Sequence, residues 1–180
     1  MGAETLTLII RTIGECFALL VVLRFLLQMA HADFYNPISQ AVAKFTQVPL
    51  LPFQKLVPRV AGRDFSALVL ALVVKFATLA LLFLVNGRSF EPIGLLVISL
   101  VSLLSMILDV YFYAVIASVI ISWVAPNSYH PAVQLITQLT EPLFKLAQRV
   151  VPPIGGLDLS PILIFLVIQV IQLQLSRLVY

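Results

Sequence analysis

Four apolar runs dominate the chain, at residues 6–29, 66–85, 100–124 and 161–180. At 1.5 Å per residue, a helix needs about 20 residues to cross the roughly 30 Å of hydrocarbon in a bilayer. Each run meets that length, and four of them in 180 residues leave little polar sequence to cover them in water. Composition agrees: 61% of residues are hydrophobic and 11% charged, against about 45–50% and about 25% in a soluble domain. An ordinary soluble enzyme and a disordered chain are both excluded. The third run starts early, at Ile93, and the extension 93–99 is expected to lie at the interface or to continue the span at a tilt. The first run is read as a retained span. It lacks a basic n-region, exceeds the usual secretory core in length, and carries Arg11, Glu15 and Arg24.

Shifting the chain by 94 positions aligns its two halves without a gap. Tyr35, Pro37, Gln40 and Thr46 fall on Tyr129, Pro131, Gln134 and Thr140. Gln54, Val57 and Pro58 fall on Gln148, Val151 and Pro152, and Gly62, Asp64 and Ser66 on Gly156, Asp158 and Ser160. The same shift sets Glu15 on Asp109 and Lys75 on Gln169. An internal repeat therefore organises the chain. The first repeat, 1–90, holds a span (6–29), a connector (30–65) and a span (66–85). The second, 91–180, holds a span (100–124), a connector (125–160) and a span (161–180). Two spans per repeat make the copies run in the same direction, so a pseudo-two-fold axis along the membrane normal is expected. The expected fold is all-α and polytopic, with four transmembrane helices in two parallel repeats.

The connectors share a design. Asn36-Pro37 and His130-Pro131 read as a cap followed by proline at the first helical position. Pro49 and Pro52 are expected to interrupt the first connector helix, and Pro142 the second. Leu143, Leu146, Ala147 and Val150 form an apolar stripe, with Lys145 and Arg149 off it, so an amphipathic helix in the interface plane is expected. Asp64 and Ser66, like Asp158 and Ser160, suit the starts of the second and fourth spans. Lys55, Arg59, Lys145 and Arg149 are candidate lipid or partner contacts, and Trp123 and Tyr129 suit the headgroup level. Six basic residues lie in the connectors, against Arg88 and Arg177 across the membrane. This places the connectors in the cytoplasm and both termini outside.

Ionisable groups in mid-membrane are functional candidates, since a charge facing lipid costs about 2.5–3.5 kcal/mol on a translocon scale. Arg11 and Glu15, four residues apart, share a helix face and can pair. Arg24 lies about 180° from Glu15, near the connector end, where it can snorkel. Ser102, Ser105, Asp109 and Tyr113 form one polar stripe, and Gln169 and Gln172 face along the last span. With Lys75, these residues make either a polar path for an ion or a structural network holding helices together. Glu15, Lys75 and Asp109 are expected to meet near the pseudo-axis.

No catalytic constellation, metal set or phosphate loop appears, and neither an enzymatic activity nor a cofactor is expected. The lone Cys16 permits no internal disulfide, and one unpaired His31 is poor ground for haem. A net charge of +3, scattered along the chain, does not make a nucleic-acid surface.

The runs Ala32-Asp33-Phe34-Tyr35-Asn36-Pro37-Ile38-Ser39-Gln40, Leu139-Thr140-Glu141-Pro142-Leu143 and Gly155-Gly156-Leu157-Asp158-Leu159-Ser160-Pro161 together resemble the YggT family, also called YlmG. The resemblance covers nearly the whole chain. It implies a small integral membrane protein of bacteria or plastids, from a family linked to osmotic stress, potassium uptake, cell-division gene neighbourhoods and plastid cytochrome assembly. Members often carry a denser basic run after the Thr-Glu-Pro element, where only Lys145 and Arg149 stand here. The expectation is an inner-membrane scaffold or assembly factor that meets lipids and other membrane proteins or itself. The alternative is an ion-permeation or osmotic-adaptation component.

Overall fold

The computed structural model describes residues 2–58, 60, 63–126, 128–153 and 158–178. Arg59, Gly62 and Gly156, singled out above, lie outside the described residues. Six helices follow in order: α1 (Gly2–Met29), α2 (Pro37–Leu56), α3 (Ser66–Val85), α4 (Pro92–Val124), α5 (Pro131–Val150) and α6 (Ser160–Ser176). Among the described residues there is no strand, only an isolated bridge between Val60 and Arg63.

Helices α1, α3 and α4 are long and apolar enough to cross a membrane, whereas α6 is a shorter apolar helix of 17 residues. That length rises about 26 Å, a little under the hydrocarbon thickness. Three long apolar helices thus stand where four spans were expected. Large apolar side chains such as Leu8, Ile13, Leu84 and Ile120 are exposed along the long helices. In water such surface would be a liability; in hydrocarbon it is ordinary solvent contact. The extension expected before the third run is part of one 33-residue helix, α4. It buries Leu95 and Ser99, so packing carries the helix through it.

The connector helices do not break at their prolines. Helix α2 runs through Pro49 and Pro52, and α5 through Pro142. An interior proline removes one backbone hydrogen bond and costs about 3 kcal/mol. Burial of one face offsets that cost: Val42, Thr46 and Leu50 in α2, and Leu135, Leu139 and Ala147 in α5. The caps are local. Asn36 Oδ1 accepts from the Ile38 N–H at 2.9 Å, and His130 Nδ1 from the Ala132 N–H at 3.2 Å. Asp64 and Asp158 each accept from the N–H two residues on, at 2.9 Å, where α3 and α6 begin.

Helix α1 ends in a Schellman turn: the His31 N–H donates to Gln28 O and the Ala32 N–H to Leu27 O. His31 holds φ +53°, the left-handed position that glycine usually fills. Gly87 does the same after α3, at φ +64°. His31 is thus a turn residue.

The chain gathers into two compact units. The first comprises Met1–Phe25 and Val42–Met106, the second Leu26–Ala41 and Ile107–Leu178. In the first, Ala18, Val21 and Val22 of α1 are buried, with Leu70 and Ala71 of α3, and Phe25 stacks 5.9 Å from Phe65. In the second, Val115, Ala147, Ile164 and Ile168 form a cluster joined by Leu108, Leu143 and Phe144. Phe112 meets Phe165 edge to face at 5.2 Å. The loop after α1 belongs to this unit. Asn36, besides capping α2, donates through Nδ2 to Pro131 O at 2.8 Å, and the Asp33 N–H donates to Gln138 Oε1 at 3.0 Å.

Candidate functional site

Among the described residues, polar groups of the apolar helices pair within each unit, Glu15 with Lys75 in the first and Asp109 with Gln172 in the second. In the first unit, Lys75 of α3 is 3% exposed and its Nζ lies 2.5 Å from Glu15 Oε2 of α1. One turn further along, Gly14 of α1 faces Thr78 of α3, and a Cβ there would overlap the Thr78 side chain. The missing side chain lets the two backbones approach, as small residues do between membrane helices. The ion pair forms at this close contact. Glu15 therefore turns to Lys75 and not to Arg11, which is exposed.

In the second unit, Asp109 Oδ1 accepts from Gln172 Nε2 at 2.8 Å. The position aligned with Lys75 is Gln169, but Gln169 is exposed and takes no part in this bond. The two halves differ close by. Leu108 stands where the first half has Gly14, and Gln172 stands where it has Thr78. The bulkier leucine replaces the glycine, and the longer glutamine bridges to the acid. Glu15 meets Lys75 in the first unit, and Asp109 takes Gln172 in the second. Ser102 and Ser105 are half-buried, whereas Tyr113 is exposed beside Asp109 on α4.

Arg24 carries more than its sequence reading allowed. Its Nη1 donates to Ala43 O at 3.0 Å and to Thr46 Oγ1 at 2.9 Å, and Nη2 to Gln47 Oε1 at 2.6 Å. The Asp64 carboxylate adds an attractive charge. Arg24 is a brace from α1 to α2, not a group reaching away from the protein. Its planar fork, able to satisfy several acceptors at once, is the signal that sequence reading underweighted.

The connector residues divide by exposure. Lys55, Lys145, Arg149 and Trp123 are exposed, and Lys145 pairs with Glu141 one turn before it. Tyr35, Tyr129, Gln40 and Gln134 are exposed, as is Pro37, whereas Pro131 is half-buried. Asn36, Ser66 and Ser160 are buried, and Asp64 is half-buried. Gln54 donates to Asp64 at 3.2 Å, and Gln148 to Asp158 at 3.1 Å, so the matched positions repeat their bonds. Burial pushes the Asp158 carboxyl up, but hydrogen bonds from Ser160 and Gln148 outweigh it and hold the group below its ordinary value. Because the folded value is depressed, this contribution to stability is complete above the unfolded value of about 3.9 and is lost as pH falls through the folded one. Asp158→Asn is therefore expected to flatten the acid limb of the unfolding midpoint between about pH 5 and pH 2. An unchanged acid limb overturns this.

Among the described residues, no group of three or more His, Cys, Asp or Glu could hold a metal ion. The profile of a family described as CCB3/YggT matches residues 3–85 and again 97–179, two matches displaced by 94 residues. A Pseudomonas aeruginosa protein, described as uncharacterized, is 41% identical over 167 residues, covering 92% of this chain and 85% of its own length. The Escherichia coli K12 protein YggT, also described as uncharacterized, is 33% identical over 174 residues, covering 97% and 90%. A Guillardia theta protein, ycf19, is 31% identical over 72 residues. No solved structure matches.

Proposed function

The chain belongs to the CCB3/YggT family, and on that premise we propose that it is a non-enzymatic scaffold or assembly factor of the bacterial inner membrane. In this reading four spans form two parallel repeats, 1–90 and 91–180, with cytoplasmic connectors and both termini outside. Its partners are membrane lipids and other membrane proteins or a second copy. One observation carries the proposal: the ion pair of Lys75 with Glu15 consumes the charges that a conduit would need to keep free. A further support is an almost wholly apolar groove of about 400 Å³ in the second unit, between α4, α5 and α6, lined by Leu108, Leu143, Ile164 and Ile171 among others. Its chemistry suits an acyl chain or an apolar helix.

A second reading, ion permeation or osmotic adaptation, draws on Asp109, which is exposed and held by a neutral glutamine. Liposomes containing only this protein separate the two. The scaffold reading expects potassium, sodium and proton flux no greater than in empty liposomes. Flux that Asp109→Asn abolishes, with folded protein retained, would replace the scaffold with the second reading.

A further inference from the structure

The two copies also differ where Arg24 sits. The residue 94 positions on is Ser118, so the second copy has no guanidinium to place against its own connector helix. The space is left as a cleft of about 620 Å³ within the second unit, between the C-terminal half of α4, α5 and the start of α6. Ser118, Thr137, Thr140, Glu141 and Asp158 line it, with Trp123 at its wall. Thr137, Thr140 and Glu141 are the counterparts of Ala43, Thr46 and Gln47, the three residues that accept hydrogen bonds from Arg24. Asp158 is the counterpart of Asp64, whose charge favours Arg24.

The remaining differences point one way. Thr140 is fully buried and donates its hydroxyl to Ile136 O at 2.8 Å, as Thr46 does to Val42 O. Thr46 also accepts from Arg24, whereas no donor among the described residues reaches Thr140 Oγ1. Where the first copy has neutral Gln47, the second has Glu141. Where it has Met29, the second has Trp123, a ring face that attracts cations. Two carboxylates border the cleft, and Lys145, paired with Glu141, balances only one of them. The acceptors of a guanidinium site are thus retained, its acidity is raised, and the guanidinium is missing.

We propose that this cleft binds a free alkylguanidinium compound, whose head takes the place that Arg24 occupies in the first copy. Glu141 and Thr140 accept its N–H groups, Asp158 supplies the second negative charge, and Trp123 covers the cation. The inference is independent of the scaffold reading.

The test uses the full-length protein in detergent, with ethylguanidinium as the probe and tetramethylammonium, which has no N–H donors, as the control. Ethylguanidinium is expected to raise the unfolding temperature saturably, and tetramethylammonium is not. Glu141→Gln keeps an acceptor but removes the carboxylate charge and leaves Lys145 unbalanced, so it is expected to weaken the probe's affinity by roughly tenfold. Ser118→Arg fills the cleft from within, so the variant is expected to unfold at a higher temperature than the wild type and to show no further rise with probe. Absence of a saturable shift in the wild type overturns the proposal. So does equal affinity in the wild type and Glu141→Gln, a comparison that stands even where Ser118→Arg fails to fold.

Discussion

Replacing Glu15 by leucine is expected to destabilise the protein by about 3–5 kcal/mol, the cost of leaving one member of a buried ion pair without its partner. Lys75 is the more deeply placed of the two, with 4% of its side chain exposed against 40% for Glu15. Stranded, it keeps a charge that its surroundings barely solvate. Lys75→Met strands the acid instead, and Glu15 keeps 40% of its side chain exposed to be solvated. The lysine variant is thus expected to be the milder. The double variant Glu15→Leu/Lys75→Met leaves no charge to neutralise and is expected to recover most of the loss, since apolar groups of similar volume replace buried pairs at little cost. Reversible unfolding in mixed detergent micelles measures all three. A double variant less stable than either single one would show that the pair does not act as a unit.

Gly14→Ala is expected to cost about 1–3 kcal/mol or more, a large effect for one methyl group. The added Cβ would overlap Thr78 Oγ1 and lie 2.6 Å from its Cγ2 and 3.0 Å from its Cβ. Thr78 cannot swing away freely, because its hydroxyl donates to Val74 O at 2.8 Å and the residue is buried. The helices must separate, and the neighbouring Glu15–Lys75 contact lengthens with them. Thr78→Ala removes the two nearest atoms and keeps the 3.0 Å contact, so Gly14→Ala/Thr78→Ala is expected to be rescued in part. The same alanine at Gly94, where a Cβ would meet nothing within 4 Å, is the control. Equal losses at Gly14 and Gly94 would show that close approach is not what glycine provides at position 14.

Helix content and the duplication were legible because they rest on local chemistry. Twenty apolar residues have one stable form in hydrocarbon, and prolines, caps and turn residues recur at a fixed spacing whatever surrounds them. The family resemblance rested on those motifs and holds. The continuity of α2 and α5 was not legible, because a proline's cost is local while the burial of Leu50 or Ala147 that offsets it is tertiary. Partner choice was legible only in part: Glu15 does meet Lys75. That a charge in mid-span needs a partner follows from its position alone. That Asp109 takes Gln172 and not Gln169 is decided by tertiary packing, which the spacing of residues along one helix does not encode. Arg24 was misjudged because its acceptors lie 19 to 23 residues further along the chain.

The prolines inside α2 and α5 limit the surroundings those helices can tolerate. Each withholds the N–H that would have satisfied the carbonyl four residues earlier, at Phe45 and Val48 in α2 and at Gln138 in α5. Phe45 and Val48 are exposed, so a water phase beside them would satisfy these carbonyls. Drawn deeper among acyl chains, the same oxygens would lose that solvent and cost several kcal/mol each. On a membrane, the prolines would therefore favour a depth that keeps this stretch of backbone within reach of water.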